Sequence, residues 1–173
     1  MIKTLRYALL VPAGVAALAM PSAASAAKYT ASATDPTGDG PVPGRDISEV
    51  KLSYVTSGKL IVVVTTAGPI DAAAGDALVT VTLGSSCKKV IGLGGGVFSD
   101  TVAGFSKVKG KKILKPKKAK AEIKDGNVYT LSVKNSAFKG WKPKCVGVAL
   151  ADPATADSDN PTIFDLTKDI KIK

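Results

Sequence analysis

Residues 35–66 read DPTGDGPVPGRDISEVKLSYVTSGKLIVVVTT, and their reading decides the fold class. The first part is dense in Asp, Gly and Pro, the residues of tight turns. From Ser48 the pattern alternates: Val50, Leu52 and Tyr54 are apolar, while Glu49, Lys51 and Ser53 are polar, the period of a half-buried strand. Ser57-Gly58 supplies a turn. Leu60 to Thr66 is then a continuous β-branched run, which predicts a more central strand covered on both faces. The stretch predicts a β-hairpin preceded by an acidic loop.

Working outward, residues 28–47 as a whole predict an irregular entry loop, rich in Thr, Asp, Gly and Pro. Beyond the hairpin, Gly68-Pro69 breaks the chain and Leu78 to Leu83 alternates again. Gly84-Ser85-Ser86 predicts a turn, with Cys87 to Leu93 as the antiparallel partner. The run Gly94-Gly95-Gly96 follows, and Val97 to Val108 has room for one or two short strands. Asp125-Gly126 is a strong tight-turn signal between Lys118–Lys124 and the alternating Asn127–Lys134. Residues 135–140 predict a turn or a single helical turn, Cys145 to Leu150 a buried strand, and Ile163 to Ile172 the closing segment. No segment holds a helical period over three turns. Short strands at roughly ten-residue spacing predict an all-β fold, a two-sheet antiparallel β-sandwich.

The amino-terminal residues predict export. Lys3 and Arg6 precede an apolar run from Tyr7 to Met20, and Ala24-Ser25-Ala26 offers the small residues of a cleavage site, so residues 1–26 form a signal peptide cleaved after Ala26. The run holds Pro12 and Gly14 and is shorter than the roughly 20 residues of a membrane span. Nothing later in the chain is long and apolar enough to cross a bilayer. Residues 27–173 then form a single domain with formal charge +8, against +10 for the whole chain. They contain neither Met nor His, which removes the commonest general base and metal ligand. Cys87 and Cys145, an even pair in an exported chain, predict a disulfide, worth roughly 4 kcal/mol on the chain-entropy model. The localisation expected is secreted, in the extracellular space or cell envelope.

The pattern Asp35-x-x-Gly38-Asp39, then Asp46-Ile47, an alternating strand, a turn and Leu60-x-Val62-x-Val64, resembles exported bacterial domains of the DOMON-like superfamily. Family-nine carbohydrate-binding modules belong to that group. The Ser136–Phe138 segment, the strand at Cys145 to Leu150 and the Asp-rich loop before a final strand are similar too. The resemblance implies a two-sheet sandwich and a ligand that is a sugar, haem or calcium. Haem is disfavoured because its axial ligands in such relatives, Met and His, do not occur in residues 27–173. The aromatic clamps of sugar-binding relatives are represented by the single Trp141.

Four candidate sites remain. Asp35, Asp39 and Asp46 are hard oxygen donors on a bent backbone, as calcium requires, although Asp also serves turns through its own backbone. A later loop offers Asp152, Asp157, Asp159 and Asn160 with the same two readings. Residues 107–124 carry nine lysines against one acid, Glu122, and predict a Lys-rich hairpin. Its lysines, among them Lys111, Lys112, Lys117 and Lys118, either contact an anionic cell-wall polymer or polysaccharide, or keep an exposed edge soluble. Specific nucleic-acid binding is not expected, because the segment has no aromatic residue and Arg45 is the one arginine after the signal. Trp141 is either a platform for a sugar ring or membrane interface, or a lid on the core beside Cys145.

Enzyme signatures do not hold together. Ser85-x-x-Lys88, Ser86-x-x-Lys89 and Ser158-Asp159-Asn160 lack the Lys-Thr-Gly that would complete a penicillin-binding set. The glycines at 92, 94 and 96 do not make a dinucleotide fingerprint. The chain therefore predicts a non-catalytic binding or accessory module whose ligand is unknown, glycan and calcium being the candidates. The alternative is a structural protein that contacts anionic polymers through its Lys-rich hairpin.

Overall fold

The structure, a computed structural model, describes residues 28–156, 158–167 and 169–173. The expected signal peptide, residues 1–26, and Asp157 lie outside the described residues. The strands are β1 (Lys28–Thr34), β2 (Ile47–Val55), β3 (Lys59–Thr66), β4 (Leu78–Ser86), β5 (Lys89–Val97), β6 (Val102–Lys109), β7 (Lys112–Ile113), β8 (Lys117–Lys124), β9 (Val128–Lys134), β10 (Cys145–Ala151), β11 (Ile163–Leu166) and β12 (Ile170–Lys171). Single turns of 3-10 helix lie at Pro43–Arg45 and Ser136–Phe138.

The all-β expectation holds, but the division into two sheets does not appear. One antiparallel sheet runs in the order β1-β2-β3-β9-β8-β6-β5-β4-β10-β11, with β7 added to β6 and β12 to β10. A four-pair ladder, Val102↔Lys120 to Phe105↔Lys117, joins β6 to β8 and makes the sheet continuous. The sheet also curls until its ends meet. Thr30 and Lys173 exchange two backbone hydrogen bonds, at 2.9 and 3.0 Å, which tie β1 to the chain just past β12. That contact satisfies edge groups that would otherwise lie unpaired.

The interior follows from strand alternation. Rows of directly opposed residues cross β2, β3 and β9: Tyr54–Leu60–Val133, Leu52–Val62–Leu131 and Val50–Val64–Tyr129. All nine are buried, and each fully buried side chain of this kind contributes about 1.5–3 kcal/mol. Val79, Val81 and Leu83 of β4 and Val146, Val148 and Leu150 of β10 complete the core. On β3 the outward residues are only half-buried, so that strand is interior to the sheet yet covered on one face, not two.

Several local expectations need correction. The chain at 28–34 is a strand, not an irregular loop. Its inward positions are Tyr29, Ala31 and Ala33, and two small side chains give a weak alternating signal, whereas seven pairs with β2 fix it in place. Gly84 to Ser86 stay within β4, which bulges there, and the turn falls at Cys87-Lys88. The glycine run lies inside β5. A Cβ on Gly94 would sit 2.5 Å from Cε2 of Phe105 and 2.8 Å from its Cγ, because this ring folds across the strand onto its register partner. Gly92 likewise leaves room for Trp141, and Gly96 for Tyr129. The bare inner surface of β5 is what admits the aromatic core.

Residues 107–124 do not form one hairpin. The chain turns at Gly110, pairs β7 with the end of β6, then returns as β8 between β6 and β9. β8 is an interior strand, so its lysines do not guard a sheet edge. The Asp125-Gly126 turn does form, with φ of 53° and 75°. Cys87 and Cys145 are disulfide-bonded, tying the β4–β5 turn to the start of β10.

Candidate functional site

Two surfaces bring charged side chains together. The first is acidic. Carboxylate oxygens of Asp39, Asp46 and Asp165 all lie within 4.8 Å of one another. Asp46 ends the 3-10 turn, is 3 % exposed and accepts a 2.6 Å hydrogen bond from the Gly38 amide. Gly40 then lets the loop pass close over Asp46, since a Cβ there would lie 2.7 Å from the Asp46 Cα and Cβ. This approach holds the exposed Asp39 above the buried Asp46. Asp165 arrives from β11, where Oδ2 accepts from the Ile47 amide and Oδ1 from the Leu166 amide. The Arg45 guanidinium, 4.0 Å from the centre of the Phe164 ring, braces the same two segments and donates to the Asp76 carbonyl.

Burial pushes the Asp165 carboxyl above its ordinary value of 3.8; its two amide donors pull the other way, and the Asp39 and Asp46 charges raise it further. Among the described residues the ion pairs are Lys51–Glu49 and Lys124–Glu122, so no lysine or arginine neutralises the acidic trio. Asp35 is not one of the three. It lines, with Asp39 and Asp169, the adjacent cleft of about 410 Å³. Asp165 was not a candidate from the sequence, where it is a lone acid within Ile163-Phe164-Asp165-Leu166. An Asp among apolar strand residues is a signal, but its partner lies 118 residues away.

The second surface is basic. Lys59 of β3 and Lys134 of β9 are direct cross-strand partners. Lys120 of β8 opposes Ser132, and Lys118, two residues earlier, continues that register toward Lys134. Lys59, Lys118, Lys120 and Lys134 are exposed and line one shallow depression of about 370 Å³. Adjacent strands are about 4.8 Å apart, so these ammonium groups share one outer face. The four lysines named from the sequence separate. Lys118 belongs to this face, Lys117 has the opposite strand parity, and Lys111 and Lys112 sit at the β6–β7 turn, all of them exposed.

Trp141 is not an open platform. It is 8 % exposed, with its ring 4.9 Å from that of Phe138 and 6.2 Å from that of Phe105. Its amide donates to the Tyr54 hydroxyl, which donates to the Phe138 carbonyl. It closes the core, as the second sequence reading has it. In the later loop the Asp152 carboxylate accepts from the Ala154 amide, an ordinary turn role. Cys87 and Cys145 also lie near Asp169, but their sulfurs are bonded to each other and are not free ligands. No helix among the described residues is long and apolar enough to cross a membrane. In comparisons with known families, curated proteins and solved structures, the chain matches no family model, no curated protein and no solved structure.

Proposed function

We propose that this protein is a non-catalytic module, exported to the cell envelope or beyond, that contacts an anionic cell-wall polymer through the outer face of β3, β9 and β8. The observation that carries the reading is the cluster of Lys59, Lys134, Lys118 and Lys120 around one depression, with no acid paired to it among the described residues. Like charges directly opposed across strands destabilise a sheet. A phosphate or carboxylate held between them would offset that repulsion, and a chain of such groups would engage several lysines at once. The face is also open: these lysines are exposed, and the strands beneath them are anchored by a buried inner face. Export is supported by the amino-terminal signal pattern and by a disulfide, which persists in oxidising compartments. A neutral glycan has less support, since Trp141 is enclosed.

The test is co-sedimentation with cell walls, before and after removal of their anionic polymers, at low and raised salt. Wild-type protein should bind intact walls at low salt and release on stripping or on raising salt. Charge reversal at Lys59, Lys118, Lys120 and Lys134 should abolish binding, while reversal at Lys111 and Lys112 should leave most of it. Binding that persists in the four-site variant would remove the reading.

A further inference from the structure

The acidic trio points to a second ligand, independent of the polymer reading. We propose that Asp39, Asp46 and Asp165 form a calcium site that fastens the loop before β2 to β11. Three observations converge on it. Their carboxylate oxygens already lie within 4.8 Å of one another, the spread expected of ligands around one ion at 2.3–2.6 Å each. Among the described residues, no cationic side chain is ion-paired with any of them. Most tellingly, Asp46 is 3 % exposed, and its Oδ1 is buried without a hydrogen-bond donor.

A buried carboxylate oxygen without a donor is costly in a folded protein, more so with two further carboxylates beside it. Oδ1 has almost no solvent-accessible surface, and the amide of Gly38 donates to Oδ2 instead. A cation satisfies the oxygen and cancels the mutual repulsion in one step. The donor set is oxygen only, which favours a hard ion over zinc or copper. The irregular loop placing Asp39 suits the flexible shell of calcium better than the strict octahedron of magnesium. The exposed Asp39 stands beside the cleft shared with Asp35 and Asp169, which gives the ion a path from solvent and room for bound water. Bound there, calcium would link residues 39 and 46 to residue 165 and so pin both ends of the chain to one point.

The experiment is calorimetric titration of chelator-treated protein with calcium chloride, with magnesium chloride and with sodium chloride at matched ionic strength, alongside thermal unfolding. One calcium per chain should bind and raise the melting temperature, with magnesium at least tenfold weaker. Asp39→Asn, at an exposed position that leaves the fold intact, should weaken calcium at least tenfold, as should Asp165→Asn. Glu122→Gln, on the outer face of β8, should bind as wild type does. Absence of heat and of a thermal shift at millimolar calcium would overturn the site, as would equal affinity for magnesium or an Asp39→Asn variant that binds like wild type.

Discussion

Replacing Gly94 with alanine sets two physical effects against each other. In a strand interior, alanine is favoured over glycine by roughly 0.5–1 kcal/mol, because glycine loses more freedom on folding. Gly94 has no left-handed backbone to protect, so that argument alone predicts stabilisation. The packing predicts the opposite. The new Cβ would lie 2.5 and 2.8 Å from Cε2 and Cγ of Phe105. Phe105 is fully buried, and its ring is confined by Phe138 at 5.5 Å and Trp141 at 6.2 Å, so it cannot swing aside without moving both. Overpacking of this kind costs typically 1–3 kcal/mol. With Cδ2 of the ring in conflict as well, we expect the upper part of that range, about 2–3 kcal/mol, and, once the gain from replacing glycine is set against it, a net loss of about 1–2.5 kcal/mol. In a chain of this size that is a melting-temperature drop of roughly 2–10 °C.

The assay is urea unfolding at 25 °C with the disulfide intact. Two companions make it decisive. Gly104→Ala on the neighbouring strand meets nothing nearer than the Pro116 Cβ at 3.5 Å, and should be neutral or slightly stabilising. Phe105→Leu combined with Gly94→Ala should cost less than the sum of the two single changes, because the smaller side chain vacates the space. A Gly94→Ala protein within 0.5 kcal/mol of wild type would refute the claim that β5 is bare in order to seat the aromatic core.

Tyr54→Phe should destabilise by about 1–3 kcal/mol in the same assay, since it strands both the Trp141 amide and the Phe138 carbonyl, which are buried with it. Asp165 supplies a pH signature in chelator-treated protein. Its folded-state pKa is raised, so its contribution to stability is complete below the ordinary value of 3.8 and is lost as pH rises through the folded value. Melting curves from pH 4 to 7 should show wild type losing stability relative to Asp165→Asn; a constant difference between the two would contradict the shift.

Much of the architecture was legible in the chain because strand geometry is local. Alternation at Val50, Leu52 and Tyr54 and at Tyr129, Leu131 and Val133 reports a period of two whatever those strands pair with. The turn at Asp125-Gly126 likewise depends on backbone freedom at those residues, and an even cysteine pair in a chain expected to be exported implies its own bond. β1 is not legible in the chain because Ala31 and Ala33 carry little apolar surface; its strand state comes from hydrogen bonds to β2. The acidic loop was visible, but Asp35 and Asp165 exchanged places: loop composition does not say which carboxylate turns inward, and the third member comes from β11.

The amino-acid sequence by itself determined that the chain is all-β, which faces of β2 and β9 are apolar, and that residues 107–124 are densely cationic. Only the tertiary structure decided that the strands join in one continuous, curled sheet. It also took Trp141 into the core, divided the lysines between a turn and an outer face, and drew Asp39, Asp46 and Asp165 together. The reason is physical. Periodicity and turn chemistry act between near neighbours, whereas strand order and side-chain company are chosen by burial and backbone pairing across the whole chain.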